Sequence, residues 1–154
     1  MTRYRERLWP APWLLIASAL VMPASMLVLA PISFPAGVAT AVVLYGGCVA
    51  LFLFGAPTIT VEDGMLRAGR ASIPLSLVGE PRAFTGADAS LERGQRLDAR
   101  AWLLIRGSID GVVTVPLTDP ADPTPYWLLS TRRPRELAAA IVRSQRPDDA
   151  QVGR

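Results

Sequence analysis

Between Arg7 and Glu62 the chain carries no charged side chain, an unbroken stretch of 54 residues from Leu8 to Val61. Hydrocarbon excludes charge, and a helix of about 20 apolar residues spans a bilayer core of about 30 Å. The stretch is long enough for two crossings. Its one interruption, Ala30-Pro31-Ile32-Ser33-Phe34-Pro35-Ala36-Gly37, holds two prolines and a glycine, the composition of a tight connection. The pattern predicts a transmembrane helical hairpin over 11–56, with helices near 13–30 and 36–54. Pro10, Pro12 and Pro23 are compatible with it, because prolines are accepted near helix starts and as kinks inside membrane helices.

Beyond the apolar stretch the period changes from helical to two. Thr58-Ile59-Thr60-Val61 alternates, Glu62-Asp63-Gly64 is a turn signal, and Met65-Leu66-Arg67-Ala68 resumes; this is a β-hairpin. Ser72–Val78 reads as a third strand, with Pro74 implying an edge or a bulge, and Pro81–Phe84 as a short fourth. Residues 85–97 are small or charged, and for Asp88–Arg93 a helical turn and a loop fit equally. Ala101–Ile105, Val112–Leu117 and Tyr126–Leu129 complete the strands. Pro134 suits the first turn of a helix in which Leu137, Ala140 and Ile141 recur at helical spacing, and Pro147 lies just past its end. The expected fold is a two-helix transmembrane hairpin followed by a small α+β domain over 57–146. That domain is antiparallel and β-rich, in the order of a pleckstrin-homology-like split barrel with a C-terminal helix. Residues 1–10 form a cytoplasmic N-terminal flank and 147–154 a flexible tail.

The positions of arginine add an orientation. Arg3, Arg5 and Arg7 precede the first helix, Arg67 and Arg70 follow the second, and the connection between them is uncharged. Basic residues beside membrane ends stay cytoplasmic, so both termini are expected in the cytoplasm of a multi-pass plasma-membrane protein. Arg5, Arg7, Trp9 and Trp13 then form an anchor at the membrane interface, where an indole ring is half buried and half wet. Docking of 4–10 against the soluble domain is the sharper alternative. A cleaved signal peptide fits less well, because the first apolar segment exceeds the usual h-region and a second follows at once.

Composition removes several function classes. The 154 residues include no histidine and one cysteine, Cys48, inside the second apolar segment. Zinc, haem and iron–sulfur sites draw on several such ligands, so no cofactor is expected. All sixteen basic residues are arginine, which we read as codon bias of a GC-rich genome. With neither histidine nor lysine, a nucleophilic serine has no familiar base, and no glycine-rich phosphate loop occurs; the expectation is not an enzyme. From Glu62 onward thirteen arginines face twelve acids, too even a balance for a nucleic-acid-binding face.

Two features remain as candidate chemistry. Asp119-Pro120-Ala121-Asp122-Pro123-Thr124-Pro125 carries two acids on a stiff loop, followed by Tyr126 and Trp127. Two carboxylates are few for a metal site, so capping of local amides is the readier use. Arg132, Arg133 and Arg135 surround the start of the last helix, where positive charge opposes the macrodipole. Either Asp119, Asp122 or Glu136 neutralises them, or they meet an external anion such as a lipid head group or an acidic partner. The balance tips narrowly to an internal clamp with Asp119 and Asp122. Gly46 and Gly47, with Ala39 and Ala50 nearby, suit close helix packing, first of all within the hairpin.

Tyr4-Arg5-Glu6-Arg7-Leu8-Trp9-Pro10, Val61-Glu62-Asp63-Gly64 with Leu66-Arg67-Ala68-Gly69, and the Asp119–Trp127 run with Ser130, Arg132, Arg133 and Pro134 form a set. Together they resemble an uncharacterised family of actinobacterial integral membrane proteins, a domain of unknown function. The resemblance implies membrane residence and transfers no catalytic residue. The expected role is a membrane-anchored, non-enzymatic module that contacts membrane lipids or another membrane or cytoplasmic protein. The alternative is an accessory subunit recognised through its hairpin.

Overall fold

The computed structural model describes residues 2–146 and separates into two compact units. One joins the residues up to Leu8 with the chain from Pro57 onward; the other is Trp9–Ala56. The tail expected at 147–154 lies outside the described residues.

The Trp9–Ala56 unit contains α1 (Pro12–Ser18), α2 (Val21–Leu29) and α3 (Phe34–Phe54). The break between α1 and α2 follows from Pro23, which has no N–H to give to the Ala19 carbonyl. Met22 N donates to that carbonyl instead, at 3.0 Å, and Ala19 and Leu20 bond three residues back, at 3.1 Å each. The turn there is tightened and the chain continues, so Pro12–Leu29 acts as one apolar span. The Ser18 and Ser25 hydroxyls donate to the carbonyls of Leu15 and Val21 at 2.8 and 2.7 Å, which satisfies them without solvent. Pro12–Leu29 and Phe34–Phe54 are both long and apolar enough to cross a membrane. Within them only Gly37 and Ala41 are buried, and Leu27 and Phe54 stand 82% and 86% exposed. A core helix of a soluble protein hides its apolar surface; away from the face where they pack on each other, these helices leave theirs exposed.

Close approach of α2 and α3 falls at Gly37, where an added Cβ would meet Met26 Sδ at 3.2 Å and Ala30 N at 3.4 Å. At Gly46 and Gly47 it would meet nothing within 4 Å. The expected packing use of that glycine pair within the hairpin is therefore not what the structure shows.

The other unit is β-rich. Its first sheet runs β1 (Thr2–Arg7), β2 (Thr58–Glu62), β3 (Met65–Ala68) and β4 (Ala71–Pro74), antiparallel throughout. Asp63 and Gly64 both take positive φ, 48° and 73°, as the two-residue hairpin turn between β2 and β3 requires. Pro74 ends β4 at the sheet edge; Leu75–Leu77 then forms a 3₁₀ turn, so the expected strand over 72–78 is cut in half. The separate flank expected over 1–10 is also corrected. Thr2–Arg7 is a strand, because its alternation turns Tyr4, Glu6 and Leu8 towards the domain and leaves Arg5 and Arg7 exposed.

The second sheet has the order β5 (Arg82–Phe84), β7 (Val112–Pro116), β8 (Tyr126–Ser130), β6 (Trp102–Leu104). Its β6–β8 pair is parallel, a departure from the all-antiparallel expectation. Gly86–Arg93 forms a complete helix, α4, and Pro134–Gln145 forms α5. The sheets are linked by a bridge between Val78 and Leu117 and by the bonds Gly79 N to Pro116 O and Thr118 N to Leu77 O, at 2.8 and 2.9 Å. They do not close into a barrel. Ile59, Val61 and Leu66 of the first sheet, Val113, Val115 and Leu129 of the second, and Leu137 and Ile141 of α5 share one core. Val112 and Leu128 face the other way, onto Ala89 of α4, so β7 and β8 are packed on both sides.

Candidate functional site

The last strand delivers Thr131, Arg132 and Arg133 to the start of α5, and β1 holds them there. The Glu6 carboxylate accepts bonds from the Arg132 backbone N–H at 3.0 Å, the Tyr4 hydroxyl at 2.6 Å and the Thr131 hydroxyl. Thr131 Oγ1 in turn accepts from Arg133 N at 3.1 Å. Thr131 is fully buried, and its N–H donates to the Gly111 carbonyl at 3.0 Å. Gly111 is required at that crossing, since a Cβ would lie 2.5 Å from the Thr131 carbonyl oxygen. Burial, and then the bond to Glu6, pushes the Tyr4 hydroxyl well above the ordinary tyrosine pKa.

This scaffold presents Arg132, Arg133, Arg135 and Glu136 around a shallow groove of about 260 Å³, with Thr85 and Pro134 on its walls. Arg133 meets Glu136 at 3.4 Å, both side chains more than 60% exposed. Such a pair is worth at most about 1 kcal/mol. The expected clamp with Asp119 and Asp122 does not form. Asp119 Oδ1 accepts from Ala121 N and Asp122 Oδ1 from Thr124 N, each at 2.9 Å, so both acids stabilise their own proline-rich turn. The bonds from Thr124 hold the Asp122 carboxyl below its usual range.

Tyr126 and Trp127 leave β8 on opposite faces. Tyr126 Oη accepts from Asp98 N at 2.9 Å and holds the segment before β6, while Trp127 packs against Trp102 with centroids 4.7 Å apart and the rings tilted by 41°. Both make contacts within the domain, and Tyr126 also borders an open cleft with Arg82, Glu92 and Arg96. Arg5 and Arg7 are exposed on β1, Trp9 and Trp13 are exposed in the other unit, and the anchor expected of these four is thus divided between a strand and the apolar segment. Among the described residues no three His, Cys, Asp or Glu side chains gather as a metal site. Glu6, Thr131 and Gly111 escaped the sequence reading. The signal that reveals Glu6 is the two-residue period of 4–8, masked by the charges it carries.

A small α+β domain, interrupted between two adjacent strands by a pair of apolar helices, is the class these features define. The chain belongs to a protein family of unknown function, DUF3093, whose model matches residues 3–141. That range includes β1 from its second residue and the buried turns of α5. No curated protein and no solved structure matches the chain.

Proposed function

We propose that the chain is a non-enzymatic, membrane-anchored recognition module, with both helices crossing the plasma membrane and the β-rich domain in the cytoplasm. The observation that carries this is the pairing of β1 with β2. The chain leaves the domain at Leu8 and re-enters at Pro57, and Leu8 N donates to Pro57 O at 2.9 Å. Two hydrogen-bonded exits lie on one side of any bilayer, so the helices cross as a pair. The uncharged connection and the flanking arginines favour the cytoplasmic side. The lysine-free composition fits the actinobacterial source we infer. The two sheets with a closing C-terminal helix parallel the layout of pleckstrin-homology-like modules, which serve as recognition surfaces.

Within the domain, Arg132, Arg133 and Arg135 are the contact we assign to an acidic protein partner or head group, since three arginines and one acid, Glu136, line the same open groove. A second reading is supported by Gly46 and Gly47, which are exposed and unused within the hairpin. They offer a close-packing surface to a helix of another subunit.

Topology is tested with single cysteines in a Cys48→Ser background. Ser33→Cys should react with an impermeant reagent in intact cells, while Thr2→Cys and Gly153→Cys should not; the reverse pattern overturns the orientation. For recognition, Arg132→Glu with Arg133→Glu should abolish partner co-purification and leave the melting temperature unchanged. Loss on Gly46→Leu with Gly47→Leu instead would assign recognition to the hairpin.

A further inference from the structure

The first sheet has an outer face distinct from the groove at α5. Arg5, Thr60, Arg67 and Ser72 stand directly opposite one another across its four strands. One row nearer the apolar helices, Arg7 pairs with Thr58, and Arg70 lies in the adjoining β3–β4 turn, where Gly69 N bonds Thr58 O at 2.9 Å. All four arginines are exposed. Among the described residues no ion pair engages Arg5, Arg67 or Arg70.

The acids of this sheet do not share the two arginine-bearing rows. Glu6 turns inward to Thr131 and Arg132. Glu62, on the same outer face, stands one row beyond Thr60, about 7 Å along β2 and at the end away from the helices, and Asp63 lies in the turn after it. Charge is thus graded along the strands, with arginine concentrated at the end from which the helices depart. That end is tethered closely: three residues, Gly55–Pro57, join α3 to β2, and four, Leu8–Ala11, join β1 to α1. At about 3.5 Å per residue these reach about 10–14 Å, comparable to a Debye length of about 8 Å at physiological salt.

We propose that this arginine face is the surface by which the domain lies on anionic phospholipid head groups of the leaflet where both helices end. Guanidinium groups match phosphate oxygens in forked geometry, and the interleaved Thr58, Thr60 and Ser72 hydroxyls add donors at the same level. The inference rests on the membrane reading given above.

The full chain in a Cys48→Ser background, carrying Ser72→Cys, is reconstituted with its domain outward into vesicles of phosphatidylcholine alone or with phosphatidylserine. Reaction with an uncharged maleimide reports access to the face. Phosphatidylserine should slow the reaction at least about fivefold, the factor one surface arginine contributes, and raised salt should restore it. Ser90→Cys, on α4, should react equally in both vesicles. Arg5→Glu with Arg67→Glu should remove the slowing, and Arg132→Glu with Arg133→Glu should leave it intact. Equal rates in the two vesicles, or slowing that only the Arg132/Arg133 pair relieves, would overturn the proposal and leave the membrane reading standing. A chain stripped from both vesicle types by alkaline washing would overturn both.

Discussion

Glu6 does at the residue level what a helix N-cap does, but from a strand more than a hundred residues away in sequence. One carboxylate satisfies the Tyr4 and Thr131 hydroxyls and the Arg132 N–H, so Glu6→Ala strands several donors at once. We expect a loss of about 1–3 kcal/mol, read as a drop of several degrees in the melting temperature. Tyr4 adds a pH dependence. Its folded pKa is raised above the ordinary value of 10.0, so the neutral phenol favours the fold. The stability it contributes is complete below pH 10 and is lost as pH rises beyond it. Thermal melts through the alkaline range should show this loss, and Tyr4→Phe should flatten its Tyr4-linked part. Gly111→Ala drives a methyl against the Thr131 carbonyl oxygen and should destabilise by about 1–3 kcal/mol; an unchanged melt would show that the two backbones can part freely.

At the scale of elements, α5 closes the domain by sinking Leu137, Ala140 and Ile141, each 0% exposed, into the core. Leu137→Asp places an unpaired charge there and should cost several kcal/mol. A retained near-UV spectrum and melting temperature would show the helix to be detachable. This helix was legible in the sequence because its apolar spacing and flanking prolines agree. So were the hairpin helices and the β2–β3 turn, whose Asp-Gly pair has few other uses. β1 was less so: Arg3, Arg5, Glu6 and Arg7 are weak strand formers, and only a tertiary partner fifty residues on makes them a strand. The parallel β6–β8 pair is non-local as well, and no local pattern announces it. At the candidate site the arginines were legible as an electrostatic anomaly. Of their expected acidic neighbours Glu136 does pair with Arg133, whereas Asp119 and Asp122 find nearer amides in their own turn.

On the scale of the whole molecule, the helices are an insertion between two adjacent antiparallel strands. The domain is therefore not the continuous segment 57–146: it needs β1, and with it Glu6 and the buried Leu8. An apolar hairpin so placed keeps both of its ends at the domain, which is why the arginine face and the α5 groove both belong to a body on a short tether. The most direct measurement replaces 9–56 by a short Gly/Ser linker and compares thermal melts of that chain with those of 57–146 alone. The linked chain, which retains β1, should be soluble and melt cooperatively. The fragment, with the β2 edge uncovered and Thr131 deprived of Glu6, should melt at least several degrees lower or aggregate. Equal melting temperatures for the two would contradict it, showing that β1 is a flank and not a strand of the domain.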